Sequence, residues 1–304
     1  MLLFGEAHLT EPMPKFREIR GRIQGVENTA KITSAMKMVA AAKLRRAQDA
    51  IIAARPYGKK LRELLQFLAS QTEASVSPLL ETREVSRVCL IVVAADRGLC
   101  GAFNSNVFRS TLNHIKTHYA ELAERGDLDL IVVGKRAVDF FAKRGFNVIA
   151  SYPGIFHSLD FSYARQIVND AVDGFIGKDF DKVEVIYNEF RSVVKQTVIV
   201  QQMLPIPKME ANKDYAVMAD YIFEPNQASL LDALLPKHLN TQMWNVLLDS
   251  NAAEQGARMT AMENATRNAK DLVRTLRINY NKARQAAITT EILEIVSGAE
   301  ALKG

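Results

Sequence analysis

No stretch of this 304-residue sequence holds the roughly 18 uninterrupted apolar residues that a membrane-spanning helix needs. Any attachment to a membrane is therefore expected to run through a partner. Cysteine is nearly absent, with Cys89 and Cys100 alone, which excludes a disulfide framework. No His/Cys cluster has metal-ligand spacing, and a reducing compartment is the expected home. Phosphate-binding motifs are missing too. G-x-x-x-x-G-K-[ST] does not occur, and Val133-Gly134-Lys135-Arg136 is only a Gly-Lys pair. G-x-G-x-x-G is absent as well. Five scattered histidines, none close to a candidate nucleophile, argue against a hydrolytic triad.

The first dozen residues contain Glu6 and Glu11, no Lys or Arg, and an apolar run of only four. They fit neither a signal peptide nor an Arg-rich transit peptide. Residues 1–13 read as a disordered tail, or as an upstream start ahead of Met13, and the chain is expected to be cytoplasmic.

The net charge of +5 hides an asymmetry. Residues 15–63 carry thirteen Lys/Arg against four acidic residues, whereas residues 237–303 carry nine against seven. Only the first segment is strongly basic, which points to an acidic partner surface or to nucleic acid. Nucleic-acid binders place aromatic or amide readers among their basic residues. Here the only aromatics between 15 and 63 are Phe16 and Tyr57, and Lys31, Lys37, Lys43, Arg45 and Arg46 encircle a helix. A solvated exterior and a rod charged on every side both remain open.

Three parts follow one another. Residues 14–75 read as one long helix. Small or apolar residues recur at steps of three and four from Ile19 through Ile23, Val26, Ala30, Thr33, Met36, Ala40, Leu44, Ala47 and Ile51 to Ala54. Pro56 is expected to bend it or end a segment. Residues 86–223 change character and alternate strand with helix. SRVCLIVVAAD (86–96) is a buried-strand run, followed by a helix over 104–124 and a strand over 128–134. A short helix then ends at Gly145, FNVIAS gives a third strand, and FSYARQIVNDAVDGFI a third helix. KVEVIYNEF and VVKQTVIVQQMLP read as an antiparallel pair, and 215–223 as an added edge strand. The alternation implies a mainly parallel, Rossmann-like sheet with right-handed crossovers.

Residues 225–304 are helical again. Pro225 sits near a helix start, and Pro236 is expected to separate a short helix from a long one. A second stripe passes through Leu239, Met243, Val246, Ser250, Ala253, Ala257, Ala261, Ala265, Leu272, Leu276 and Ala283, and on to Val296. Neither long helix can bury its stripe alone, so the two are expected to pair. The sheet domain lies between them in sequence, so they run antiparallel. The architecture is thus an α/β domain inserted into an antiparallel coiled coil. The Ala-rich seam permits close approach but buries little area per residue. EILEIVSGAEAL ends the second helix with Ile292, Leu293, Ile295, Val296 and Leu302, which suggests an apolar socket on a partner.

One segment retains a chemical reading. DRGLCGAFN (96–104) follows the first strand, and a Gly-rich turn entering a helix is a usual place for a phosphate. The same residues also make a tight strand-to-helix turn, which is the favoured reading. Asp96 and Arg97 stand where α/β enzymes place catalytic groups, but with no second polar group converging on them in the sequence a local ion pair or turn contact is the favoured reading.

Two long stretches carry a family resemblance. IRGRIQGVENTAKITSAMKMVAAAKLRRAQ (19–48) resembles the first helix of F-type ATP synthase gamma subunits. ARMTAMENATRNAKDLVRTLRINYNKARQAAITTEILEIVSG (257–298) resembles their last, and DRGLCGAFNSN (96–106) their turn after the first strand. The resemblance covers about 14 to 300. It implies a bacterial-type central rotor stalk, non-catalytic by itself, without cofactor or metal. It further implies a place at the cytoplasmic face of the inner membrane, peripherally held. The implied partners are the alpha and beta subunits, the epsilon subunit and the membrane c-subunit ring, with no nucleic acid. It also implies beta-subunit contacts at Met36, Arg258, Arg284, Gln285, Thr289 and Glu291. The insertion with a regulatory cysteine pair found in plant chloroplast members has no counterpart here, so thiol control is not implied. A stand-alone nucleotide-binding enzyme and a basic nucleic-acid binder remain as rival classes.

Overall fold

A computed structural model describes residues 16–71, 77–193, 195–207 and 227–301. The tail 1–13, the strand expected over 215–223, Pro225 and Leu302 lie outside the described residues. Contacts divide the chain into two compact units, Met38–Ala261 and Met1–Lys37 with Met262–Gly304. Helices α1 (Phe16–Gln71) and α6 (Gln227–Ala301) contribute to both.

In the larger unit a sheet is assembled from β1 (Val88–Val93), β2 (Leu128–Val133), β3 (Asn147–Tyr152), β4 (Lys182–Phe190) and β5 (Gln196–Leu204). The order is β3-β2-β1-β4-β5; β3, β2, β1 and β4 run parallel and β5 antiparallel to β4. Helices α2 (Phe103–His118), α3 (Ala120–Arg125), α4 (Lys135–Phe141) and α5 (Phe161–Ile176) supply the crossovers. The run VCLIVV is wholly buried because both its faces are covered. Cys89, Ile91 and Val93 point into one layer with Ile167 and Phe175 of α5, Leu61, Leu65 and Leu68 of α1, and Leu235, Leu239 and Met243 of α6. Val88, Leu90 and Val92 point the other way, onto Val107 and Ile115 of α2 and Phe141 of α4. Each leucine sunk from α1 contributes ~1.5–3 kcal/mol of burial, far more than an alanine. Within the larger unit the sheet thus packs against one segment of each long helix.

Neither proline ends its helix. The expectation that Pro236 separates two helices is corrected: α6 is continuous from 227 to 301, and α1 likewise runs through Pro56. Each ring replaces one amide donor, but both prolines are exposed, so the orphaned carbonyl faces water. Leu231, Leu235 and Leu239 are buried on either side of Pro236, and that unbroken stripe holds the helix straight on. The single helix expected over 104–124 is likewise two. The break falls at Tyr119 (φ −136°), which leaves helical geometry and places its hydroxyl 3.1 Å from Lys182 Nζ, the donor.

Gly134 shows why one glycine is needed. It joins β2 to α4 at φ +89°, and an added Cβ would stand 2.0 Å from the Ala94 carbonyl oxygen. Backbone sits there, so nothing can swing aside. Gly134→Ala is expected to cost about 3 kcal/mol or more, as strain plus overlap. Urea unfolding followed by Trp244, the only tryptophan, measures it. A loss below about 1 kcal/mol would contradict this close approach.

In the smaller unit the two helices run antiparallel. Thr33 and Thr266 hydroxyls meet at 2.7 Å, Lys37 pairs with Glu263 at 3.0 Å, and Glu27 with Arg277 at 2.7 Å. As residue numbers rise on one helix they fall on the other. The two ion pairs are largely exposed and worth ~0–1 kcal/mol each, so they fix register more than stability. Ile19, Met262, Ala269, Val273 and Leu276 form the buried seam. Leu272, expected in that seam, is instead 46% exposed. The seam steps 266, 269, 273, 276, and Leu272 lies about 100° round the helix from Val273. Beyond Ala283 every described side chain is exposed, including Ile288, Ile292, Leu293, Ile295 and Val296.

Candidate functional site

Open α/β sheets hold ligands where the strand order reverses, outside the carboxyl ends of the strands. Here that place lies beyond β1, whose neighbours are β2 and β4, at the turn 94–103. Leu99 (φ 62°) and Gly101 (φ 59°) both take left-handed conformations there. Asn104 Oδ1 accepts from the Ala95 amide at 2.9 Å and ties the turn to α2.

Asp96 follows β1 and is held on its β2 and β3 side. Its Oδ1 accepts from the amides of Lys135 at 2.8 Å and Gly154 at 2.7 Å, and its Oδ2 from that of Phe156 at 3.0 Å. The backbone donors an incoming phosphate would need around this carboxylate already serve it. Of the two sequence readings for Asp96, the turn contact is the one observed. From α6, the Arg258 guanidinium donates to the Gly98 carbonyl through Nη1 and pairs with Glu254 through Nη2. Ala95, Cys100, Phe103 and Ala253 pack in a small buried cluster beside it. The arrangement is a fastening, with chemistry suited to holding and none that places a nucleophile beside a base.

Both cysteines are free and buried. Burial pushes the Cys89 thiol far above its ordinary range, with Asp129 adding to it. Burial also raises Cys100, aided by Glu254 and opposed by Arg258.

The six residues singled out as contacts fall in two groups. Arg284, Gln285, Thr289 and Glu291 are exposed on the last turns of α6, and Met36 is half-buried in α1, all in the smaller unit. Gln285 and Thr289 share one face at a spacing of four, and the Thr289 hydroxyl donates to the Gln285 carbonyl at 2.9 Å. Arg258 belongs to the larger unit, and its side chain is only 12% exposed. Its partners Gly98 and Glu254 were not foreseen. The Glu254–Arg258 spacing of four on a helix was the signal available.

A cleft of about 810 Å³ opens between α1, β4, β5 and α6, edged by Arg55, Lys59, Arg62, Tyr187, His238 and Asp249. Burial, then Glu189, raises the Asp249 carboxyl to about 6 against the pull of Arg55. Burial, then Arg62, lowers His238 to about 4. The fold holds the Asp249 proton more tightly than the unfolded chain, so that stability is full below about pH 4 and lost by about pH 6. His238 acts oppositely, losing stability as pH falls from about 6.5 to 4, so the two nearly cancel in between. Asp249→Asn should therefore leave stability unchanged near pH 4. At pH 7.5 it should raise it by roughly 2 kcal/mol in urea unfolding. A pH-independent effect would place Asp249 in water.

A family model described as ATP synthase matches residues 15–302. The ATP synthase gamma chain of Chlorobium phaeobacteroides is 52% identical over 293 residues, covering 96% of this chain and all of that one. The chain belongs to the ATP synthase gamma-chain family. Another relative, the gamma chain of Chloroherpeton thalassium, is 52% identical over 301 residues, covering 96% of this chain and 99% of its own. Two solved structures share the fold. One is a chain of the Euglena gracilis mitochondrial ATP synthase OSCP/F1/c-ring structure, at TM-score 0.67, 19% identity and 94% of both chains. The other comes from the Tetrahymena thermophila mitochondrial central stalk/c-ring, at TM-score 0.58 and 24% identity, covering 77% of this chain and 99% of that one. The gamma-chain fold thus combines an antiparallel helix pair with a central α/β sheet.

Proposed function

We infer that the chain is the gamma subunit of an F-type ATP synthase, the central rotor stalk that couples turning of a c-subunit ring to conformational change in catalytic beta subunits. The observation that carries this is the match to gamma chains at about half identity along their whole length. The alpha and beta subunits surround the paired helices, and the epsilon subunit and c-ring meet the sheet unit. The chain itself performs no chemistry and needs no cofactor. Its coupling serves proton translocation, and it is held peripherally at the cytoplasmic face of the bacterial inner membrane through those partners. No described helix is long and apolar enough to cross a membrane.

The physical features suit a shaft. Small seam residues such as Ala269 and the Thr33–Thr266 contact let the helices approach closely. The basic flank of α1 offers Arg17, Arg20, Arg45 and Arg46, all exposed, to acidic surfaces. The exposed apolar run from Ile288 to Val296 suits an apolar collar. Met36, Arg284, Gln285, Thr289 and Glu291 would touch beta subunits.

Purification decides between this and the rival classes. The chain alone should show no steady ATP turnover. Co-expressed with alpha and beta subunits, it should copurify at one copy per three of each in an active complex. Sustained ATP hydrolysis by the chain alone would defeat the rotor reading, and retardation of DNA at physiological salt would favour the nucleic-acid class.

A further inference from the structure

Arg258 lies too deep for a plain surface contact. Its side chain is 12% exposed and that of Glu254 7%, one helical turn apart on α6. A guanidinium presents its N–H groups in a rigid planar fork, so two acceptors at fixed angles hold it in one orientation. Here the two are the Glu254 carboxylate and the Gly98 carbonyl. Gly98 is two residues beyond Asp96, whose carboxylate grips the amides of Lys135, Gly154 and Phe156. A three-residue stretch is therefore fastened on one side to the loops after β2 and β3, and on the other to α6.

The neighbouring apolar contacts are small. Ala253, Ala257 and Cys100 sit beside Phe103 and Phe190, and a Cβ on Gly101 would be 3.7 Å from that of Ala261. Such smooth surfaces resist separation but offer little against sliding. A directional, charge-assisted bond resists sliding. Burial raises the Glu254 carboxyl, and Arg258 works against that rise. Arg258 thus favours the charged, bonded form of Glu254.

We propose that Glu254 is a positioning residue that holds Arg258 on the Gly98 carbonyl, and that this strap passes load between the sheet and α6. The load-bearing role rests on the rotor reading. The strap itself does not.

The test uses the assembled complex in sealed vesicles, with Glu254→Gln, Arg258→Lys, Arg258→Gln and the Glu254→Gln/Arg258→Gln pair. Two quantities are read: amide exchange across residues 97–101, and protons pumped per ATP hydrolysed. Losing a bond to a charged group should speed exchange in Glu254→Gln about tenfold. Pumping per ATP should fall in the same variant, and Arg258→Lys should restore neither quantity. The double variant should be no worse than Arg258→Gln, because both changes cut one strap. Unchanged exchange in Glu254→Gln would overturn the positioning role. Faster exchange with full pumping would overturn the load-bearing role. Failure of the wild-type chain to support pumping would instead refute the rotor reading, and exchange would still judge the strap.

Discussion

Asp96→Ala is expected to remove a large share of the stability of the sheet unit. Three backbone amides lose a charged acceptor at once, those of Lys135, Gly154 and Phe156. A bond to a charged group contributes ~1.5–3 kcal/mol, but the three share one partly exposed carboxylate and will not add fully. A loss of roughly 3–5 kcal/mol is expected, against a total stability of about 5–15 kcal/mol for a typical protein. Asp96→Asn should fall between, since its amide nitrogen cannot accept from a backbone N–H. Urea unfolding read by Trp244 gives the magnitude, and faster exchange at Lys135, Gly154 and Phe156 gives the location. A loss under about 0.5 kcal/mol would mean that water replaces the carboxylate without penalty.

Gln285→Ala should do the reverse, sparing the chain and crippling the complex. Gln285 is exposed on α6, and its side chain supports nothing within the fold that burial would penalise. On the proposed reading it hydrogen-bonds a beta-subunit loop. Loss of a bond of about 1.5–3 kcal/mol would slow turnover tenfold or more. Arg258→Ala should impair both, because it also strands the buried Glu254 without its cation. Arg125→Ala, at the exposed end of α3, is the control. Equal turnover in Gln285→Ala, Arg125→Ala and wild type would withdraw Gln285 from the interface.

Where one physical rule governs a segment, the sequence was legible. The run VCLIVV reads as a strand covered on both faces, and it is. FSYARQIVNDAVDGFI places Ile167, Val168, Ala171 and Phe175 on one side and forms α5 over the expected residues. Along the expected stripe of α1, Ile19, Thr33, Ala40, Leu44 and Ala47 are buried, while Ile23, Val26, Ala30 and Met36 between them are half-buried. Misreadings arose where tertiary packing overrules a local rule. Pro236 breaks a helix in isolation, but Leu231, Leu235 and Leu239 are gripped on both sides of it. Leu272 was placed on the stripe four residues before Leu276, whereas its neighbours Ala269 and Val273 take the seam. Tyr119 interrupts a helical run to reach Lys182, a partner 63 residues away. The fastening of Arg258 to Gly98 spans 160 residues, and no periodicity announces it.

The rotor claim is tested most directly by watching the chain turn. Lys143→Cys gives an exposed attachment point on the turn after α4, while Cys89 and Cys100 are buried and will not compete for label. With the alpha–beta hexamer fixed to a surface, a probe on residue 143 should rotate in one direction when ATP is supplied. It should pause at three positions per turn. A probe that stays still while the fixed complex hydrolyses ATP at its full rate would show that this chain is not the shaft.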